Sequence, residues 1–153
     1  MTISFDLDDT LIPSTKLFDT ERQNFLQKLF RTEKIRSGTI ELIKELQQQG
    51  HNIYIYTTSY RSTYKIWWTF FSHGIKIDKI INQHIHNKVL GKNSKGYSKY
   101  PPAFNIDVHV DDSAGVKIEG ERHNFRTIIV TENNSWKDVI KQTIFSDRKT
   151  DKF

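Results

Sequence analysis

Two pairs of aspartates, Asp6 and Asp8 and then Asp111 and Asp112, stand where two short apolar runs end. Ile3, Phe5 and Leu7 lead into the first pair, and Ile106–Val110 into the second. Residues two apart at a strand end share a face, so Asp6 and Asp8 can enter one pocket. Neighbouring strands would bring Asp111 and Asp112 to the same rim. Carboxylates packed this closely raise one another's pKa unless a cation neutralises them. An oxygen cluster without His or Cys suits a hard ion. Mg²⁺ fits best, because it needs few protein ligands and keeps positions open for phosphate. One acid after one strand is routinely a helix or turn cap, but two pairs after two strands are much less often so. A third polar strand end, Thr57-Thr58-Ser59, adds hydroxyls.

The elements that must position these groups follow from apolar spacing and punctuation. Strands are expected at 3–7, Ile53–Tyr56, Ile75–Ile81, Ile106–Val110 and Thr127–Val130. Helices are expected over Leu17–Phe30, from Ser37 or Thr39 to Gln49, over Ser62–His73 with Ile66, Trp67, Phe70 and Phe71 as its buried stripe, and over Trp136–Phe145. Residues 82–102, with Gly91, Gly96, Pro101 and Pro102, read as irregular. Strands separated by helices need crossover connections. The fold class is therefore α/β: a single Rossmann-like, three-layer α/β/α domain with a mainly parallel five-stranded sheet. Its expected extent is residues 1–146, with 147–153 a polar, frayed tail. In such sheets ligands bind beyond the carboxyl ends of the strands, where the two Asp pairs and the Thr57 segment all fall.

Composition narrows the chemistry. The chain has 153 residues, 36% of them hydrophobic and 27% charged, which is enough apolar material for one packed core. With no cysteine, disulfide scaffolds, Cys-ligated zinc, iron–sulfur clusters and thiol nucleophiles are excluded. No apolar run approaches the ~20 residues of a membrane span, and the first residues have no signal-like character. A soluble, cytoplasmic protein with no membrane partner is expected. Of the net charge of +5, the excess lies in the middle: residues 61–105 hold eight basic side chains against one acid, Asp78. Such a run is usually a solvated face; the functional alternative is a surface for an anionic partner.

The run Phe5-Asp6-Leu7-Asp8-Asp9-Thr10-Leu11 resembles the DxDxT signature of the haloacid dehalogenase (HAD) superfamily. Thr57 after the second strand resembles the family's second motif. A lysine followed by Val108-His109-Val110-Asp111-Asp112-Ser113 resembles its third and fourth. The order matches, and the resemblance covers the chain from Ile3 to about Val130. It implies a phosphomonoester hydrolase. Asp6 would be the nucleophile that forms an aspartyl-phosphate, and Asp8 the general acid and base. Mg²⁺ would be held by Asp6, the backbone carbonyl of Asp8, and Asp112, with Asp111 in support. Thr57 would hydrogen-bond the phosphoryl group, helped by backbone N–H groups near Thr58, with Ser59 close by. An Asp at position 8 favours phosphate chemistry over dehalogenation.

The lysine is chosen from Lys88, Lys92, Lys95 and Lys99. Lys99 is preferred because the prolines beside it fix its backbone, with Lys95 and Lys92 as alternatives. The family usually places a whole helix between this lysine and the Asp pair, and twelve positions leave almost no room for one. Arg61 either approaches phosphate or caps the helix after it. His84 and His86 read as solvated loop residues, His109 as a core or half-buried one, and Trp67-Trp68 as helix packing.

Neither point where the family inserts a cap domain has room for one here, so the chain resembles the capless group. An open site admits small or macromolecular phosphorylated substrates, or closure by an oligomeric partner. The segment His84–Lys99 is the expected substrate selector. The rival reading is a non-catalytic module that binds nucleic acid or another polyanion through the basic segment, its carboxylates a vestigial metal site.

Overall fold

The computed structural model describes residues 1–133 and 135–150. Five strands, β1 (Thr2–Phe5), β2 (Asn52–Tyr56), β3 (Lys79–Ile81), β4 (Val108–Asp111) and β5 (Arg126–Ile129), form one sheet in the order β3-β2-β1-β4-β5. Every pairing is parallel. The chain is therefore α/β with an all-parallel, Rossmann-like sheet flanked by helices. The helices are α1 (Phe25–Leu29), α2 (Thr39–Gln48), α3 (Thr63–Phe71), α4 (Gln83–Leu90), α5 (Ala114–His123) and α6 (Trp136–Thr150). Among the described residues, no helix is long and apolar enough to cross a membrane.

Side-chain alternation divides the core into two. Ile3, Phe5, Ile53, Ile55, Val108, Val110 and Ile128 pack with Leu42, Ile43 and Leu46 of α2, Ile66 and Phe70 of α3, and Trp136, Ile140 and Ile144 of α6. Tyr56 and Ile81 pack with Phe104, Ile106 and Ile85 of α4. A parallel sheet covered on both faces buries its central strands completely, and all four residues of β4 are buried.

Several elements depart from the sequence expectation. Leu17–Phe30 is not a helix: only the turn α1 forms, with Leu17 86% and Phe25 76% exposed. The cause lies in the flanking chain. Asp9 accepts hydrogen bonds from the backbone of Ser14, Thr15 and Lys16, and the following residues pair with 35–37 through Glu21 N to Ile35 O and Ser37 N to Asp19 O. The backbone groups that a helix would use are thus already taken.

In α3 the buried side chains are Ile66, Thr69 and Phe70, whereas Trp67 stacks on Phe71 at the surface. The third strand is only three residues long, and Ile75 and Ile77 reach the core from irregular chain.

Residues 83–90, expected to be irregular, form α4 because the Asn82 side chain caps the Ile85 N–H. Two 3₁₀ turns follow, at Gly91–Gly96 and Pro101–Phe104. Helix α5 falls where no element was expected. It buries Val116 and Gly120, and a Cβ at Gly120 would lie 2.8 Å from the Phe125 carbonyl. Helix α6 runs to Thr150, past the point where a tail was expected; residues 151–153 lie outside the described residues.

Candidate functional site

The strand order reverses between β1 and β4, and a crevice at such a switch point is where open α/β sheets bind ligands. Asp6 follows directly on β1, its N–H donating to the Val110 carbonyl at 2.8 Å, and Asp111 ends β4. The topology therefore puts both strand-end acids in the crevice.

Lys99 reaches Asp6 from the side. Its Nζ donates to Asp6 Oδ1 at 2.5 Å and to the Tyr56 carbonyl at 2.6 Å, and lies 4.0 Å from Asp111 Oδ2. The lysine is 2% exposed. Its backbone is held on both sides: Glu119 accepts from the N–H groups of Ser98 and Lys99, and Tyr100 N–H donates to the Tyr56 hydroxyl. That hydroxyl in turn donates to His86 Nδ1 at 2.6 Å. His86 is 0% exposed and not the solvated loop residue expected; burial lowers its pKa, so the ring is the neutral acceptor the Tyr56 hydroxyl requires.

Burial pushes the Asp6 carboxyl up to about 6, with Lys99 pulling it down and Asp111 adding to the rise. Asp111 behaves oppositely. Burial works against its charged form, but the His109 hydrogen bond and the charge of Lys99 outweigh this and hold it below the usual carboxylate range. His109 is buried inside β4, as expected. Its Nε2 lies 3.0 Å from Asp111 Oδ2 and its Nδ1 2.7 Å from Ser4 Oγ, across the β1–β4 register. Burial keeps its pKa low. A carboxylate only accepts, so the Nε2 of the neutral ring carries the proton and the Ser4 hydroxyl donates to Nδ1. The other oxygen of Asp111 accepts from Ser113 N–H at 2.9 Å.

Two cations are each shared between a rim carboxylate and one farther out. Lys16 Nζ lies 2.8 Å from Asp112 Oδ2 and 3.8 Å from Glu132 Oε1. Arg61 Nη1 lies 2.7 Å from Asp8 Oδ2, while its Nε lies 3.0 Å from Glu33 Oε1. Thr10 Oγ1 donates to Asp112 Oδ1 at 3.2 Å. Thr10 is the threonine of the DxDxT run, whereas Lys16, Glu132 and Glu33 were not singled out from sequence.

Thr57 is buried at the end of β2. Its hydroxyl accepts from Ser59 N–H at 3.0 Å and keeps its own hydrogen to donate. Ser59 Oγ accepts from both Arg61 N and Arg61 Nη1. Arg61 thus sits on Asp8, and the cap of α3 is Ser62, which accepts from Lys65 N–H. Thr58 is exposed. So are Lys88, Lys92 and Lys95, the last two in the Gly91–Gly96 turn; of the four candidate lysines, Lys99 alone is buried. In place of a helix between that lysine and the Asp pair there is the single turn Pro101–Phe104.

Asp6, Asp111 and Asp112 each offer one oxygen within 4.8 Å of the others. An all-oxygen set of this kind suits a hard divalent cation. Both carboxylate oxygens are already engaged in Asp111, by His109 and Ser113, and equally in Asp112, by Thr10 and Lys16. No protein-family model matches the chain, and no curated protein matches it.

Proposed function

We propose that this chain is a Mg²⁺-dependent phosphomonoester hydrolase of the HAD type, working through an aspartyl-phosphate on Asp6. The observation that carries the reading is the buried contact of Lys99 Nζ with Asp6 Oδ1, at the switch point and beside Asp111 and Asp112. A buried carboxylate with a cation on one oxygen is a nucleophile whose approach to an anionic phosphate is already partly compensated.

An Asp6 carboxylate oxygen attacks phosphorus while the bond to the ester oxygen breaks, and Asp8 gives its proton to that departing oxygen. Asp8, then a carboxylate, takes a proton from water. The water oxygen bonds to phosphorus and the acyl phosphate bond breaks, returning Asp6 and releasing phosphate. Lys99 and the Thr57 hydroxyl hold the non-bridging oxygens through both steps. Asp6, Asp112 and the Asp8 carbonyl would hold Mg²⁺, which would supply positive charge against the phosphoryl oxygens.

Hydrolysis of 4-nitrophenyl phosphate is expected to require Mg²⁺ and to fall by about 10³-fold or more in Asp6→Asn. An Asp6→Asn protein that keeps robust activity overturns the mechanism.

A further inference from the structure

We propose that Arg61 reads a negative charge on the leaving group, so that the substrate class is a phosphomonoester whose alcohol carries an anionic group close to the ester oxygen, and that Glu33 positions Arg61 for this. The inference rests on the hydrolase reading above, because that reading fixes which side of the site Asp8 faces. The group that protonates the ester oxygen lies beside the leaving group. Arg61 Nη1 is 2.7 Å from Asp8 Oδ2, so the guanidinium is on that side too. The non-bridging oxygens belong to Lys99 and Thr57, and a second cation is not needed there.

Arg61 is held in place rather than waving in solvent. Its Nε donates to Glu33 Oε1 and its Nη1 also to Ser59 Oγ at 2.9 Å. Its backbone N–H donates to Ser59 Oγ, and its carbonyl accepts from Asn82 Nδ2 at 2.9 Å. Among the described residues Nη2 has no acceptor, and the side chain is 25% exposed, so one edge of the guanidinium is open to an incoming anion. Planar guanidinium edges favour carboxylate and phosphate oxygens.

Glu33 is the less obvious part. Its Oε2 is buried with no hydrogen-bond partner, although Oε1 meets Arg61 and, at 3.9 Å, Lys65. A half-satisfied carboxylate costs stability, and an ion pair serving only to tie down a surface loop would contribute little in return. Holding Arg61 at a fixed angle beside Asp8 gives the arrangement a use.

The test is phosphate release from three matched esters in the presence of Mg²⁺: 2-hydroxyethyl phosphate, phosphoglycolate and ethane-1,2-diol bisphosphate. The wild-type kcat/KM is expected to favour the two charged esters by about tenfold or more over the neutral one. The ranking of these two separates a carboxylate from a phosphate as the preferred charge. In Arg61→Met the ratio of charged to neutral ester falls to about one, and Arg61→Lys keeps part of it. Glu33→Gln raises KM for the charged esters more than for the neutral one, a split that a merely structural role does not produce. Equal kcat/KM for all three esters in the wild type, or a preference that survives Arg61→Met, overturns the inference.

Calorimetric binding of the three esters to the Asp6→Asn protein decides the matter without turnover. If the wild type hydrolyses neither these esters nor 4-nitrophenyl phosphate, the hydrolase reading fails. Tighter binding of the charged esters, lost when Arg61→Met is added, still supports Arg61 as the anion reader, and equal or absent binding overturns it.

Discussion

Lys99 Nζ and Asp6 Oδ1 meet at 2.5 Å in the interior, although 93 residues separate them in sequence. Two opposed effects act on the carboxyl: burial favours its neutral form and the ammonium its charged form. Burial wins by enough to bring Asp6 to about 6. At neutral pH the group is then mostly ionised, at roughly nine parts in ten, yet it stands in surroundings that hold it loosely as an anion. That is the condition a carboxylate nucleophile needs.

Removing the ammonium upsets the balance. In Lys99→Met, burial and the neighbouring Asp111 act on Asp6 against the Leu7 backbone N–H alone, so its titration moves upward. The acidic limb of the pH–rate profile is expected to shift up by about one unit or more, with kcat/KM down by about 10²-fold. Lys99→Arg does not restore activity, because the planar guanidinium cannot place one nitrogen between Asp6 Oδ1 and the Tyr56 carbonyl. A pH–rate profile unmoved in Lys99→Met rules this account out.

The same raised pKa predicts a pH dependence of stability. Asp6 binds its proton more tightly folded than unfolded, where the ordinary value is 3.8. Its contribution is fully present below about pH 4 and disappears as pH rises through about 6. Wild type should therefore lose stability relative to Asp6→Asn between pH 4 and 7, in buffer without divalent cations. At pH 7.5 the Asn protein is expected to melt several degrees higher. Parallel melting temperatures across that range contradict the assigned shift.

The placement of the carboxylates was legible because strand and turn lie within a few residues of one another: Phe5-Asp6-Leu7-Asp8 and Val110-Asp111-Asp112 mark the ends of β1 and β4. Lys99 was reachable because Pro101 and Pro102 mark a fixed backbone. Glu33, Lys16 and Glu132 were not legible, since each acquires its partner only when distant loops meet on the rim. The apolar spacing of Leu17–Phe30 misled because Phe25, Leu26, Leu29 and Phe30 lie at the surface while Gln27 is buried, donating to the Ser72 carbonyl. Helix α5 escaped for the opposite reason: it turns so little apolar surface inward that no period shows.

His109 carries a prediction that separates a hydrogen-bond role from core volume. His109→Leu fills the space but leaves Ser4 Oγ and Asp111 Oδ2 without their partner, at an expected cost of about 2–4 kcal/mol. His109→Gln can place an N–H near the former Nε2 and should cost clearly less. Urea unfolding of both variants measures the difference, and equal destabilisation means that packing alone matters at this position.

Arg36 supplies the sharpest test of the loop architecture around the site. Its side chain is 2% exposed and lies between two rings, with the guanidinium carbon 4.5 Å from the centroids of both Phe18 and Trp136. It donates to the carbonyls of Thr10, Thr131 and Asn133, tying the loop after Asp9 to the chain beyond β5. A lysine has the charge but neither the flat face nor donors spread over two nitrogens. Arg36→Lys is therefore expected to lose about 2 kcal/mol or more, and Arg36→Met more still, because the buried Thr10 carbonyl loses its donor and the two ring faces lose their cation. Thr10 reaches Asp112 from the same loop, so Arg36→Lys should also weaken Mg²⁺ binding, read by calorimetry on protein shown to be folded by circular dichroism. Unchanged unfolding and unchanged Mg²⁺ affinity would falsify the claim that Arg36 organises this edge of the site.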